Sequence, residues 1–186
     1  MVDVSQSGNS VDGGMAGRDY INNKSITMSP PKLSAITELN EQYLAETKTQ
    51  QSLNQIVKEL NHFCISLPYA KKDLETKLTE GGRISEVEEA LFLKELVAKK
   101  IVELSKSPSA QKILSFILGR LKQSFLHRIY PQIQSNTITS EIDNLIYDEV
   151  IIPAFDFLEK NPLGFSDEDL KGMIYFLAGN CHINWK

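Results

Sequence analysis

The chain has 186 residues, 41% of them hydrophobic, with a formal net charge of −4 and a pI near 5.5; that allows one main core with appendages and argues against a protein whose chief partner is nucleic acid. Its two cysteines, Cys64 and Cys181, are too few for a disulfide framework or a four-ligand zinc site. No apolar run approaches the roughly 18 residues of a membrane span, and Met1 to Thr27 lacks the apolar stretch of a signal peptide, so a reduced, cytoplasmic protein with no membrane anchor is expected.

Residues 1–31 are rich in Gly, Ser and Asn and poor in large apolar groups, a composition that favours a disordered arm. Short β-prone pairs between Gly-containing turns also suit small strands that order on self-association or on a partner. Gly17, Arg18 and Asp19 form the centre of this arm, within Ala16-Gly17-Arg18-Asp19. Ser29-Pro30-Pro31 closes the arm. Apolar residues at helical spacing then run from Leu33 through Ile36, Leu39, Leu53, Ile56, Leu60 and Phe63, which predicts one long helix from Lys32 to Ile65. Its stripe fits either an intramolecular bundle seam or an oligomer seam, and Cys64 on that stripe reads as a small buried apolar residue.

Leu67-Pro68 breaks this helix, a short helical piece fits within Tyr69 to Thr79, and Gly81-Gly82 turns the chain,. Ser85 and Glu88 have capping-box spacing, so they predict the start of a helix of about twenty residues. Its broad apolar face (Val87, Ala90, Leu91, Leu93, Leu96, Val97, Ile101, Val102, Leu104) belongs in a core,. Ser107-Pro108 is an N-cap followed by Pro at the first helical position, and opens a helix that should stop at Pro131,. Arg120, Lys122 and Arg128 on it are the candidate phosphate contacts, and no Asp or Glu falls on that helix. From Gln132 to Leu170 the balance inverts, with Glu141, Asp143, Asp148, Glu149 and Asp156 among nine acids and only Lys160 to oppose them. This polarity predicts either docking against partners of opposite sign or two solvated faces that complement each other within one bundle. Thr139 or Ser140 caps the next helix, which Pro153 kinks or divides.

A last helix begins at about Asp167, capped by Ser166 with Asp169 three residues on, and Gly179-Asn180 ends it,. Beyond it lie Cys181, His182, Ile183 and the only tryptophan, Trp185. Tyr175, Phe176, Asn180, His182 and Trp185 are the candidate partner-binding residues, because aromatic anchors dominate interfaces. A tail that plugs the end of its own core is the alternative.

The stretch Gly172-Met173-Ile174-Tyr175-Phe176-Leu177-Ala178-Gly179-Asn180-Cys181-His182-Ile183-Asn184-Trp185 resembles the ending of the C-terminal domain of bacterial ABC three-component conflict systems, the group that includes Lamassu-like defence. The likeness begins near Ser107. It implies association with an SMC-like ABC ATPase and a middle component. The arm is similar to short Gly-Asn and Ala-Gly-Arg-Asp stretches near the N-termini of bacterial conflict proteins.

No catalytic, cofactor or metal motif accompanies these features. His62, His127 and His182 lie far apart in sequence without metal-ligand spacing,. The adjacent pair Cys181-His182 lacks the geometry and the oxyanion loop of a thiol nucleophile and its base. Three or four cations on an acidic chain, with no aromatic platform, predict at most weak, salt-sensitive DNA contact, with DNA reached chiefly through an associated ATPase. The expectation is an all-α helical bundle with one long N-terminal helix behind the arm, divided at 32–106 and 107–186. It is expected to act as a non-catalytic interaction subunit. The rival readings are an effector active on release and a weak, nonspecific DNA-binding adaptor.

Overall fold

The computed structural model describes residues 35–49, 56–66 and 72–186; the arm, with Gly17, Arg18 and Asp19, lies outside the described residues. Those described are all-α and belong to one compact unit, Leu33–Lys186. Ser107 is therefore a boundary between helices of a single body.

The expected long helix is instead two. Helix α1 spans Ala35–Thr49 and α2 spans Lys58–Cys64, with Val57 extended between them (φ −65°, ψ 149°). In a continuous helix the Val57 N–H would bond four residues back, whereas here it donates to Gln111 Oε1, a side chain with no exposed surface. That bond starts a fresh helix, and the turn delivers Leu60 and Phe63 to the core,.

Helix α3 (Leu74–Glu80) is capped by Asp73, which accepts from the Thr76 N–H at 2.8 Å. It ends on Gly81 and on Gly82 at φ +74°. One 3₁₀ turn (Ile84–Glu86) leads into α4 (Val87–Leu104). The capping box expected from Ser85 does not form, because the cap position falls one residue later, on Glu86, with no side-chain hydrogen bond there. Helix α5 (Pro108–Ser124) starts as the sequence predicts, with Ser107 Oγ accepting from the Ala110 N–H. Ile113, Leu114, Ile117, Leu118 and Leu121 on α5 are fully buried, each stabilising the fold by about 2 kcal/mol.

The α5 rod does not stop at Pro131. It passes through a π-helical turn at Phe125–Ile129 into α6 (Tyr130–Gln134). Helix α7 (Thr139–Ile146) does the same through a second π turn at Tyr147–Ile151 into α8 (Ile152–Phe157), which contains Pro153. A proline lacks an N–H and crowds the carbonyl four residues back; a widened turn just ahead of each proline relieves that clash without ending the rod. Neither Thr139 nor Ser140 caps α7; its cap position is Ile138, with no side-chain bond.

Helix α9 (Asp167–Gly179) has the predicted capping box: Ser166 Oγ accepts from the Asp169 N–H, and the Asp169 carboxylate accepts from the Ser166 N–H. Residues 172–178 are all buried, so more of α9 enters the core than the single face of Leu170, Met173, Ile174 and Leu177 that its spacing suggests,. Its partner is α4, and Gly172 sets their spacing, since a Cβ there would come within 2.8 Å of Leu93 O and Val97 Cγ2. Only half of the expected apolar face of α4 enters this seam: Ala90, Leu93, Val97 and Ile101 are buried, while Leu91, Leu96 and Val102 are exposed.

Candidate functional site: the closed C-terminal tail

The turn after α9 positions the tail. His182 N–H donates to Leu177 O (2.8 Å) and Cys181 N–H to Ala178 O (3.0 Å), the paired bonds of a Schellman ending,. The left-handed residue is Cys181 (φ +64°), not Gly179 or Asn180 as the sequence suggested; Asn180 has φ −90°. A side-chain-bearing residue there costs about 1 kcal/mol relative to Gly. Asn180 instead bridges two helix ends: its Nδ2 donates to Phe63 O at 3.0 Å, satisfying a carbonyl in the last turn of α2,.

Lys77 of α3 holds the same end from the other side. It is 6% exposed, and its Nζ donates to Ala178 O at 2.5 Å and lies 2.7 Å from Cys181 Sγ. A cation on the last carbonyls of α9 opposes the negative end of the helix dipole, which supports burying it.

Trp185 then folds back into the body and is 2% exposed. Its ring meets Phe125 edge-on (5.0 Å between centroids) and Tyr175 at 6.2 Å, while the Arg83 guanidinium carbon lies 4.7 Å above it. The tail backbone passes so close to the α3–α4 turn that a Cβ on Gly81 would lie 2.6 Å from Trp185 O. Arg83, 3% exposed, joins three elements: it pairs with Glu86 at 2.7 Å and with Asp143 of α7 at 2.6 Å, and it covers the indole of the tail. Tyr175 OH donates to Glu86 Oε2 at 3.2 Å, and burial, with Glu86 beside it, raises the phenol pKa.

A cleft of about 400 Å³ opens before this cluster, lined by Arg83, Glu86, Asp143, Lys171, Tyr175 and Trp185 among others. Its charges are already committed: Arg83 to Glu86 and Asp143, and Lys171 to Glu89 at 2.7 Å. No Ser, Thr or Cys lines the cleft,. Among the described residues no group of three or more His, Cys, Asp or Glu side chains is arranged to hold a metal ion. No helix among them is long and apolar enough to cross a membrane.

His182 is buried beside His62 and Phe63, with ring centroids 5.2 and 5.5 Å away. Burial first, then the charges of Lys122 and His62, lower its pKa, while the backbone of Phe63 and Ile65 pulls the other way. A depressed histidine pKa means the unfolded chain binds the proton first as the pH falls. Stability contributed by neutral His182 is therefore complete above the unfolded value and is lost as the pH drops below about 6.5 toward the folded value. The urea midpoint should fall between pH 7.5 and 5.5 in the parent and fall less in His182→Phe; equal falls in both would refute the assignment.

Of the five residues expected at a partner interface, four are buried in the body and Asn180 is partly exposed. Tyr175, Phe176, His182 and Trp185 are 2%, 6%, 5% and 2% exposed, which leaves them no surface to offer while the tail is seated. The three candidate phosphate contacts do not converge on one unpaired patch. Arg120 stacks over Phe157 at 4.9 Å and shares a shallow groove with Lys122, whereas Arg128 lies 3.8 Å from Glu149. The Arg128–Glu149 pair realises part of the internal complementarity foreseen between the basic and acidic stretches.

Lys77 and Arg83 were not legible as site residues. The one available signal was a cation directly after Gly81-Gly82, a turn tight enough to aim it inward.

The family model for C-terminal domain 9 of the ABC-three component (ABC-3C) systems matches residues 73–185, more than half of the chain. The match starts at the α3 cap, upstream of the Ser107 at which the resemblance was expected to begin, and so takes in both Lys77 and Arg83. No curated protein and no solved structure matches the chain.

Proposed function

Since the chain belongs to the family of C-terminal domain 9 of the ABC-three component systems, we propose that it is a non-catalytic interaction subunit of such a defence complex, docking to its SMC-like ATPase or middle component. One observation carries this reading: the outer side of α7 and α8 is acidic and also bears apolar groups. Glu141, Asp148 and Asp156 are exposed there without an ion-pair partner among the described residues, beside Tyr147, Ile152 and Phe155, which are 47%, 41% and 36% exposed. Carboxylates around aromatic and aliphatic anchors suit a basic, apolar-centred protein surface and repel nucleic acid. The buried tail fixes this face by tying α7 to the α3–α4 turn through Arg83, so the family's terminal residues act on the partner indirectly. The commitment of the cleft's charges to one another supports the absence of a reaction.

Co-expression with the neighbouring components tests the reading. The chain should co-purify with the ATPase or middle component, and Asp148→Lys with Asp156→Lys should weaken that association about tenfold at low salt. Association indifferent to both charge reversal and salt would remove this face from the interface. Nucleotide turnover by the isolated chain would end the non-catalytic reading.

A further inference from the structure

We infer that the outward face of α4 is a self-association surface, on which a second copy of this chain docks its own α4 antiparallel. The inference is independent of the acidic face of α7 and α8, and its test uses the chain alone.

The inner side of α4 is fully used by α9, yet its outer side carries Leu91, Phe92, Leu96 and Val102 at 42%, 62%, 41% and 68% exposure. Exposed leucines are ordinary taken singly; four large apolar groups on one side of an 18-residue helix form a patch,. The charges on that side choose the occupant. On α4, Glu88, Phe92, Glu95, Lys99 and Val102 follow the 4-3-4-3 spacing of a seam between two helices,. In an antiparallel pair related by a two-fold axis, each position faces the one equally far on the other side of the centre. Centred on residue 97, this sets Phe92 against Val102 of the second copy and Glu95 against its Lys99, each contact made twice. Leu96 then lies near its own symmetry mate. A seam centred half a turn away would instead oppose Glu88 to Glu103 or Phe92 to Lys99. The sequence of this face is therefore self-complementary in this register. At present Glu95 and Lys99 only approach each other within the helix, at 3.6 Å, and both side chains are about two-thirds exposed. They are free to exchange that weak contact for one across the seam.

Sedimentation equilibrium of the full chain over a range of concentrations should show a reversible monomer–dimer equilibrium. Phe92→Glu should raise the dissociation constant about thirtyfold or more, with helicity and melting temperature unchanged because the side chain is exposed. Glu95→Lys and Lys99→Glu should each dimerise poorly alone, through like charges facing across the seam. Mixed together, the two variants should form a heterodimer, and the double variant should recover the parental affinity. A parent that stays monomeric overturns the inference, as does a dimer insensitive to these changes, which would assign self-association to another surface. Failure of the mixed single variants to pair would overturn the antiparallel register.

Discussion

Trp185→Ala is expected to destabilise the fold by about 3–5 kcal/mol, the range for emptying a fully buried aromatic site. For a folded unit of this size that lowers the melting temperature by on the order of 10 °C. The effect is large because the indole is shared: it fills the space between Phe125, Tyr175 and the α3–α4 turn, and Arg83 rests on it. Trp185→Phe should recover roughly half of the loss, since it keeps an edge-on contact with Phe125 but shortens the platform beneath Arg83. Melting followed by far-ultraviolet circular dichroism measures this without relying on the chain's single tryptophan as the reporter. A melting temperature within a degree or two of the parent would mean the tail is not seated in the core.

Arg83→Ala is expected to cost about 2–4 kcal/mol, read as a lower urea midpoint at unchanged slope. Removing one member of a buried pair is ordinarily worse than that. Here the carboxylates left behind can return to water, Asp143 being 51% exposed and Glu86 21%, so the expected loss sits below the range for a fully buried pair. What is lost beyond charge is the stacking on Trp185 and the packing of a side chain that is 3% exposed,. Arg83→Lys should not rescue the protein, because an ammonium cannot serve two carboxylates and an aromatic face with one planar group. Asp143→Ala, which leaves Arg83 with Glu86, should cost less than about 1 kcal/mol. If Asp143→Ala proved as damaging as Arg83→Ala, the tie to α7 would outweigh the tie to the tail, and Arg83 would serve the acidic helices first and the indole second.

Two helix starts with a local cause were legible. Ser107-Pro108 and Ser166 with Asp169 cap α5 and α9 as their spacing predicts, because a cap is satisfied within four residues,. Ser85 carried the same signal and did not cap, since the chain leaving Gly82 makes a 3₁₀ turn first and Arg83 takes Glu86 as its partner. Pro131 and Pro153 were legible as disturbances but not in their outcome. Beyond Pro153 the chain has a core to enter, Leu158 being fully buried, whereas beyond Pro131 only Ile133 packs against the core, and that partly.

The split of the first predicted helix has the same kind of cause, lying in Gln111, more than fifty residues away. The candidate site divides likewise. The tail's aromatic residues stood out by type, yet their direction, inward to Phe125 and Arg83 and not outward to a partner, could be read only from the fold.

The sequence by itself determined the all-α class, the caps of α5 and α9, the apolar faces of the helices and the family-like terminus, all properties set by neighbours a few residues apart. The tertiary structure alone decided which half of the α4 face is covered, which residue takes the left-handed turn at Cys181, and where the cations Lys77 and Arg83 are spent. Each of those depends on which helix end or aromatic ring arrives from elsewhere in the chain to compensate a buried charge or a strained turn, and no local pattern encodes that arrival.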